Sequence, residues 1–177
     1  GVNVDTGAPM WYKVTRDAAG NETARETTSN YAQATQEKMG KASADLFGGI
    51  NTSLSYKKFD LSAMFGYSIG GQIYNYARQE YDSDGTYTDR NQMKLQDGWS
   101  RWEKPGDIAT HPIAKYNNQD KGNSASSRYI ENSDFLRLRS LTFGYTFDLT
   151  KYKVKNLRLF FSGENLFIWT NYSGVDL

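Results

Sequence analysis

The sequence contains no cysteine, which rules out a disulfide framework, a thiolate metal site and a cysteine nucleophile. No apolar run approaches the ~18–20 residues of a membrane-spanning helix, so any membrane crossing would fall to strands. Proline is scarce, with three residues, and His111 is the one histidine. Without a partner in the sequence it supports neither a zinc site nor a catalytic dyad, and its place before Pro112 predicts a loop residue. Charge of one sign is also missing, since 21 Lys and Arg stand against 20 Asp and Glu. That balance offers neither a basic field for nucleic acid nor an acidic solvating tail. The chain opens Gly1-Val2-Asn3-Val4, without an initiator methionine or a signal peptide, and is expected to be an excerpt of a longer protein.

What is present points to β structure. The apolar fraction is 38%, low for a globular domain, yet aromatics reach 15%. That combination suits a barrel wall, where alternate residues are greasy and aromatic rings gather at the interfaces. From Ile50 the even positions Ile50, Thr52, Leu54 and Tyr56 are apolar or β-branched. After Lys57-Lys58 the odd positions Phe59, Leu61, Ala63, Phe65, Tyr67 and Ile69 take over. Period-2 alternation on both sides predicts two half-buried strands. A two-residue turn at Lys57-Lys58 pairs Tyr56 with Phe59, Leu54 with Leu61, Thr52 with Ala63 and Ile50 with Phe65. A slip by one residue would mix the faces, so the pattern selects the register.

A second hairpin follows. Leu141, Phe143, Tyr145 and Phe147 alternate with Thr142, Gly144 and Thr146, and after Asp148–Lys155 Leu157, Leu159 and Phe161 alternate with Arg158, Phe160 and Ser162, continuing toward Phe167 and Trp169. Above Leu141 the phase changes, with Leu136 and Leu138 on even positions. A β-bulge near Ser140 would do this; the expected cause is instead that the strand leaves the apolar zone, since a membrane strand needs only ~9–11 residues. The connections are unequal. Two are short, whereas Gly70–Asp134 is long and polar, and the first ~45 residues read similarly, with a turn at Asp17–Asn21 and a briefly helical Tyr31–Lys41. Short turns at one end and long loops at the other is the asymmetry of outer-membrane barrels. The expected fold is all-β, the antiparallel strands of a partial transmembrane β-barrel with long extracellular loops. Residues 1–46 form an outer loop region, 47–70 one wall hairpin, 71–134 a long extracellular loop and 135–170 a second hairpin. Residues 171–177 begin the next outer loop, with the final strand absent.

Ser127–Tyr145, reading SRYIENSDFLRLRSLTFGY, resembles the signature near the C-terminus of SusC/RagA-like TonB-linked outer-membrane proteins. Leu157–Gly174, reading LRLFFSGENLFIWTNYSG, is similar to a later strand of that family. Asp45–Gly49 with Ser55–Ser62 resembles its upstream hairpin, and Met10-Trp11-Tyr12 an element near the start. The resemblance implies a segment of an active importer in the outer membrane of a Gram-negative bacterium. It implies TonB as partner through an N-terminal part absent here, a SusD-like lipoprotein lid, and oligosaccharide or peptide substrates. It implies no cofactor. The family chain runs on past its "YSG" into one more strand ending at an aromatic residue, whereas this one stops at Val175-Asp176-Leu177.

On this reading Ile50, Leu54, Tyr56, Phe59, Leu61, Phe65, Leu141, Phe143, Tyr145, Phe147, Leu159 and Phe161 face lipid. Charge on that face is costly, so Asp60, Ser62, Arg158 and Glu164 face the lumen. Trp99, Arg101 and Trp102 are candidates for stacking a sugar ring or touching the lid; packing of the loop onto its neighbours is the weightier expectation. Asp82-Ser83-Asp84-Gly85 with Asp89 offers oxygen ligands for Ca²⁺, but lacks the third acidic position and closing Glu of an EF-hand loop. A solvated acidic turn is expected and no metal is assigned. Gly48-Gly49 and Gly70-Gly71 carry no phosphate-loop fingerprint. No catalytic residues are assigned. A soluble β-sandwich that binds carbohydrate is the alternative, and a β-rich glycosidase a weaker third.

Overall fold

The structure, a computed structural model, describes residues 1–152 and 154–174. Lys153 and Val175-Asp176-Leu177, part of the expected last loop, lie outside the described residues. In chain order the strands are β1 (Trp11–Arg16), β2 (Glu22–Thr28), β3 (Leu46–Tyr56), β4 (Phe59–Ile69), β5 (Gln72–Tyr74), β6 (Ile130–Asn132), β7 (Phe135–Phe147) and β8 (Leu157–Thr170). One α-helix, α1 (Tyr76–Asp82), follows β5. The four long strands form one antiparallel sheet in the order β3-β4-β7-β8, and β1-β2 and β5-β6 form two-stranded sheets. The chain divides into two compact units, Gly1–Met39 with Asn75–Ile130, and Gly40–Tyr74 with Glu131–Leu177.

The second unit holds the long sheet. Its first hairpin has the register that alternation selects: Tyr56 opposite Phe59, Leu54 opposite Leu61, Thr52 opposite Ala63 and Ile50 opposite Phe65. Lys57 takes φ 55° and Lys58 is not in the left-handed region. That is the sign pattern of a type II′ turn, whose twist suits a two-residue hairpin even without glycine. Across the second interface Leu61 pairs with Phe143 and Phe59 with Tyr145. The rings meet on one face, Phe59 to Tyr145 at 4.6 Å and Phe59 to Phe143 at 5.7 Å between centroids.

The phase change in β7 has a different cause from the one expected. Met64 pairs with Ser140 and Phe65 with Leu138, leaving Arg139 without a counterpart on β4. This is a β-bulge. One extra residue restores parity, so Leu136 and Leu138 stay on the face of Leu141 and Phe143 instead of turning to the polar side. The apolar row therefore continues beyond the bulge, opposite Tyr67 and Phe65.

That row is open. Leu54 is 63% exposed and Phe161 73%, and Leu138 is the one large apolar side chain of the long sheet that is buried. A soluble sandwich would place these side chains beneath a second sheet. Among the described residues no second layer covers them.

The first unit is more ordered than the loops expected there. Residues 11–28 form the β1-β2 hairpin, whose Asp17 carboxylate accepts backbone N–H bonds from Ala19 and Asn21 at 2.9 and 2.8 Å. The helical expectation over Tyr31–Lys41 shrinks to one 3₁₀ turn, Tyr31–Gln33, capped by the Asn30 side chain. The buried residues of this unit are mostly polar.

Deleting Arg139 is expected to put the two halves of β7 out of phase and to abolish the folded, heat-modifiable form of the parent protein on gels. Arg139→Ala keeps the residue count and is expected to retain it.

Candidate functional site

The polar face of the long sheet is built by the same alternation that exposes the greasy one. Asp60 on β4 and Arg158 on β8 reach toward each other across β7, with Arg158 Nη2 2.5 Å and Nε 3.1 Å from the carboxylate oxygens. Gly144 lies beneath them. A Cβ there would stand 2.6 Å from both Asp60 oxygens and 2.7 Å from Arg158 Nη2, so glycine lets the pair close in this position and any larger residue would oblige it to shift. Ser62 stands opposite Thr142, whose hydroxyl is 3.0 Å from that of Ser162. Glu164 stands opposite Ser140. Gly66 makes a second clearing, over which the Arg139 guanidinium lies; a Cβ would meet Arg139 Nε at 2.5 Å. Asp60, Ser62 and Arg158, grouped by sequence, are thus neighbours on one polar surface.

In the first unit the structure assembles a cluster that sequence reasoning missed. Asn75 caps α1, its side-chain oxygen accepting from Arg78 N–H at 2.9 Å. The helix then delivers Asp82 into the interior, and Ser83 and Asp84 follow with φ 55° and 47°. Asp82 Oδ2 lies 3.3 Å from Arg78 Nε, 3.2 Å from His111 Nε2 and 3.2 Å from Arg128 Nη2. Asp84 is held by Arg101 at 2.7 Å and Arg128 at 2.5 Å. Arg101 also donates to the carbonyls of Pro112 and Asp82. Asp82 is 1% exposed and His111 0%. The expected solvated acidic turn is therefore a buried ion cluster, and His111 is an interior residue with a carboxylate partner. Asp89 is exposed and apart from it. With Asp82 and Asp84 turned onto guanidinium groups, no group of metal-ligating side chains forms among the described residues. Sequence offered little signal, because apart from Arg78, four positions before Asp82 on α1, the partners lie 17 to 46 positions from the carboxylates they hold; only Arg128 belongs to a recognisable motif.

The Trp99-Ser100-Arg101-Trp102 segment contributes to the same interior. Trp102 is buried, donates from Nε1 to the Val4 carbonyl at 2.8 Å and lies against Gly7. Gly7 has φ +69° and no space for a Cβ. Trp99 keeps part of its ring open; its faces meet the Arg78 guanidinium at 4.1 Å and the His111 ring at 5.2 Å. Packing thus occupies Arg101 and Trp102.

Electrostatics favour the cluster's charged form. Burial pushes the Asp82 carboxyl up, but the His111 ring, then Arg128 and Arg78, outweigh it and hold it below its ordinary value near 3.8. Burial likewise works against the Arg128 charge and is outweighed by Asp84, so its proton is held more tightly than usual.

No protein-family model matches the chain. In sequence it is similar to TonB-dependent receptor P3 of Formosa agariphila, 30% identical over 141 residues, which cover 78% of this chain and 13% of that protein. It is also similar to the TonB-dependent receptor SusC of Bacteroides thetaiotaomicron, 26% identical over 140 residues, covering 77% of this chain and 13% of that one. The RagAB peptide transporter structure superposes with a TM-score of 0.75 at 25% identity, covering 99% of this chain and 19% of that chain. The RagAB importer in its "closed-closed" state gives 0.72 at the same identity and coverage. The chain thus spans 13–14% of the length of the first curated relatives it matches. These relatives are receptors and transporters, and the long sheet is a partial transmembrane β-barrel wall that resembles the SusC/RagA-like, TonB-linked kind.

Asp82→Ala leaves buried cations without their carboxylate and is expected to cost about 3–5 kcal/mol in the first unit. Hydrogen exchange or limited proteolysis over residues 75–130 of the parent protein would register it. Because the Asp82 value is depressed on folding, its contribution is present above the ordinary carboxylate range and lost as pH falls through the lowered value. Protection there should persist at pH 5 and fall away in stronger acid.

Proposed function

We propose that this chain is the C-terminal barrel-wall segment of a TonB-dependent outer-membrane transporter that imports oligosaccharides beneath a SusD-like lipoprotein lid. One observation carries the reading: a sheet with a continuous apolar row left uncovered on one face and a charged, hydroxyl-rich surface on the other. In water such a row would drive aggregation; against hydrocarbon it is the favoured arrangement. The row through Leu54, Leu61, Phe143 and Phe161 is assigned to lipid, and Asp60, Ser62, Arg158 and Glu164 to the lumen. Residues 1–46 and 71–134 are assigned to the outer surface, with 171–177 beginning the next outer loop. Of the aromatic loop residues, ligand or lid contact falls to Trp99, whose ring is partly open. The segment carries no chemistry of its own. Import is instead driven by TonB acting on an N-terminal part of the parent chain.

A second substrate reading, peptides, is favoured by the structural likeness to a transporter described as a peptide importer. Binding of oligosaccharide and peptide pools to the purified parent with its lid separates the two.

The parent protein should leave the membrane only with detergent. Leu61→Arg or Phe143→Arg should impair assembly by about 2–4 kcal/mol near mid-bilayer, whereas Ser62→Arg should be tolerated. Folded yield on heat-modifiable gels measures this, and equal tolerance on both faces would overturn the assignment of faces.

A further inference from the structure

The two short connections of the long sheet carry an unusual charge. Lys57 and Lys58 make up the first, and Lys151, Lys153 and Lys155 lie in the second. Together they hold five of the 12 lysines of the chain, no arginine, and Asp148 as the one carboxylate. Nothing in the sequence order makes these turns neighbours. The pairing of β4 with β7 does, and the Thr146 N–H donates to the Lys58 carbonyl at 2.8 Å. Lys57, Lys58, Lys151 and Lys155 are exposed, and no ion pair holds any of them among the described residues. Asp148 accepts from the Thr150 N–H at 3.1 Å.

Apolar surface adjoins these cations. The Lys57 ammonium sits 5.2 Å from the centre of the Tyr56 ring. Tyr56 and Phe59, at the foot of the apolar row, and Tyr152, between two of the lysines, are all exposed. A row of hydrocarbon-compatible side chains that ends in aromatic rings and then in exposed ammonium groups matches a lipid leaflet in depth order: acyl chains, interface, phosphate. A soluble acidic protein would need the cations but not the adjoining greasy strip.

We infer that the paired turns form a docking surface for the phosphate headgroups of anionic glycerophospholipids in the leaflet that the short turns face. The inference rests on the barrel reading, and on the short turns being the periplasmic ones. Lysine suits the task as a flexible point charge that reaches along the membrane surface. A lysine near an anionic surface contributes about a fivefold preference.

The test uses the full-length parent protein in nanodiscs of phosphatidylethanolamine with a fixed share of phosphatidylglycerol. A parallel set contains lipid A. Lipid retained through washing is measured by native mass spectrometry, and the heat-modifiable band is read on the same samples. The wild type should retain phosphatidylglycerol over phosphatidylethanolamine. Replacing Lys57, Lys58, Lys151 and Lys155 by Gln should lower that preference at least fivefold, while Gln at Lys94, Lys104 and Lys121 should leave it unchanged. If the fourfold variant lacks the folded band, the pairs K57Q/K58Q and K151Q/K155Q replace it, each expected to lose part of the preference. Undiminished preference in folded variants overturns the inference and leaves the barrel reading standing. Retention of lipid A in preference to phosphatidylglycerol through these lysines also overturns it, since the turns would then select the glycolipid and not a glycerophospholipid. Failure of the barrel reading would show separately, as a wild type that needs no detergent.

Discussion

Everything in the long sheet depends on keeping two unlike surfaces apart on one thin layer of backbone. Interior backbone groups are consumed by the ladders between β3, β4, β7 and β8, so the strands need nothing from their surroundings on either face. What remains is side-chain chemistry. One face is greasy from Tyr56 and Phe59 to Leu136, and the other carries Asp60, Arg158 and paired hydroxyls. A sheet of this kind is at home only where its two sides meet different media.

The bulge at Arg139 follows from that constraint. A single unmatched residue would ordinarily exchange the faces of everything beyond it. Here the exchange has already been made in the sequence, by moving Leu136 and Leu138 to even positions, and the bulge cancels it. Glycine serves the same end on the polar side. Gly144 lets an ion pair close over a strand, and Gly66 lets the Arg139 guanidinium lie flat on the sheet. Neither clearing is needed for the strand itself, where glycine is a weak former.

The first unit solves a different problem. It has little apolar material, and its interior is organised by charge: two carboxylates, three guanidinium groups and one imidazole. Arg78 also stacks on Trp99, which lets one side chain serve both the ionic and the aromatic contacts. Breaking such a cluster is more damaging than its net contribution suggests, because the remaining charges stay buried. It therefore holds one arrangement of a segment whose composition would otherwise suit a loose loop.

The hairpins were legible in the order of residues alone. Period-2 alternation on each side of Lys57-Lys58 admits one register that keeps Leu54, Leu61 and Phe65 together, and the structure has it. Alternation is a local signal, carried by residues a few positions apart, and so it survives being read in one dimension. Tertiary structure alone decided the rest. Whether β7 bulges depends on what lies opposite, on β4. Whether Asp82 and Asp84 are solvated depends on Arg101, His111 and Arg128, which arrive from distant parts of the chain. Long-range ion pairs leave no period in a sequence, because Coulomb attraction selects partners by distance in space and not by spacing along the backbone.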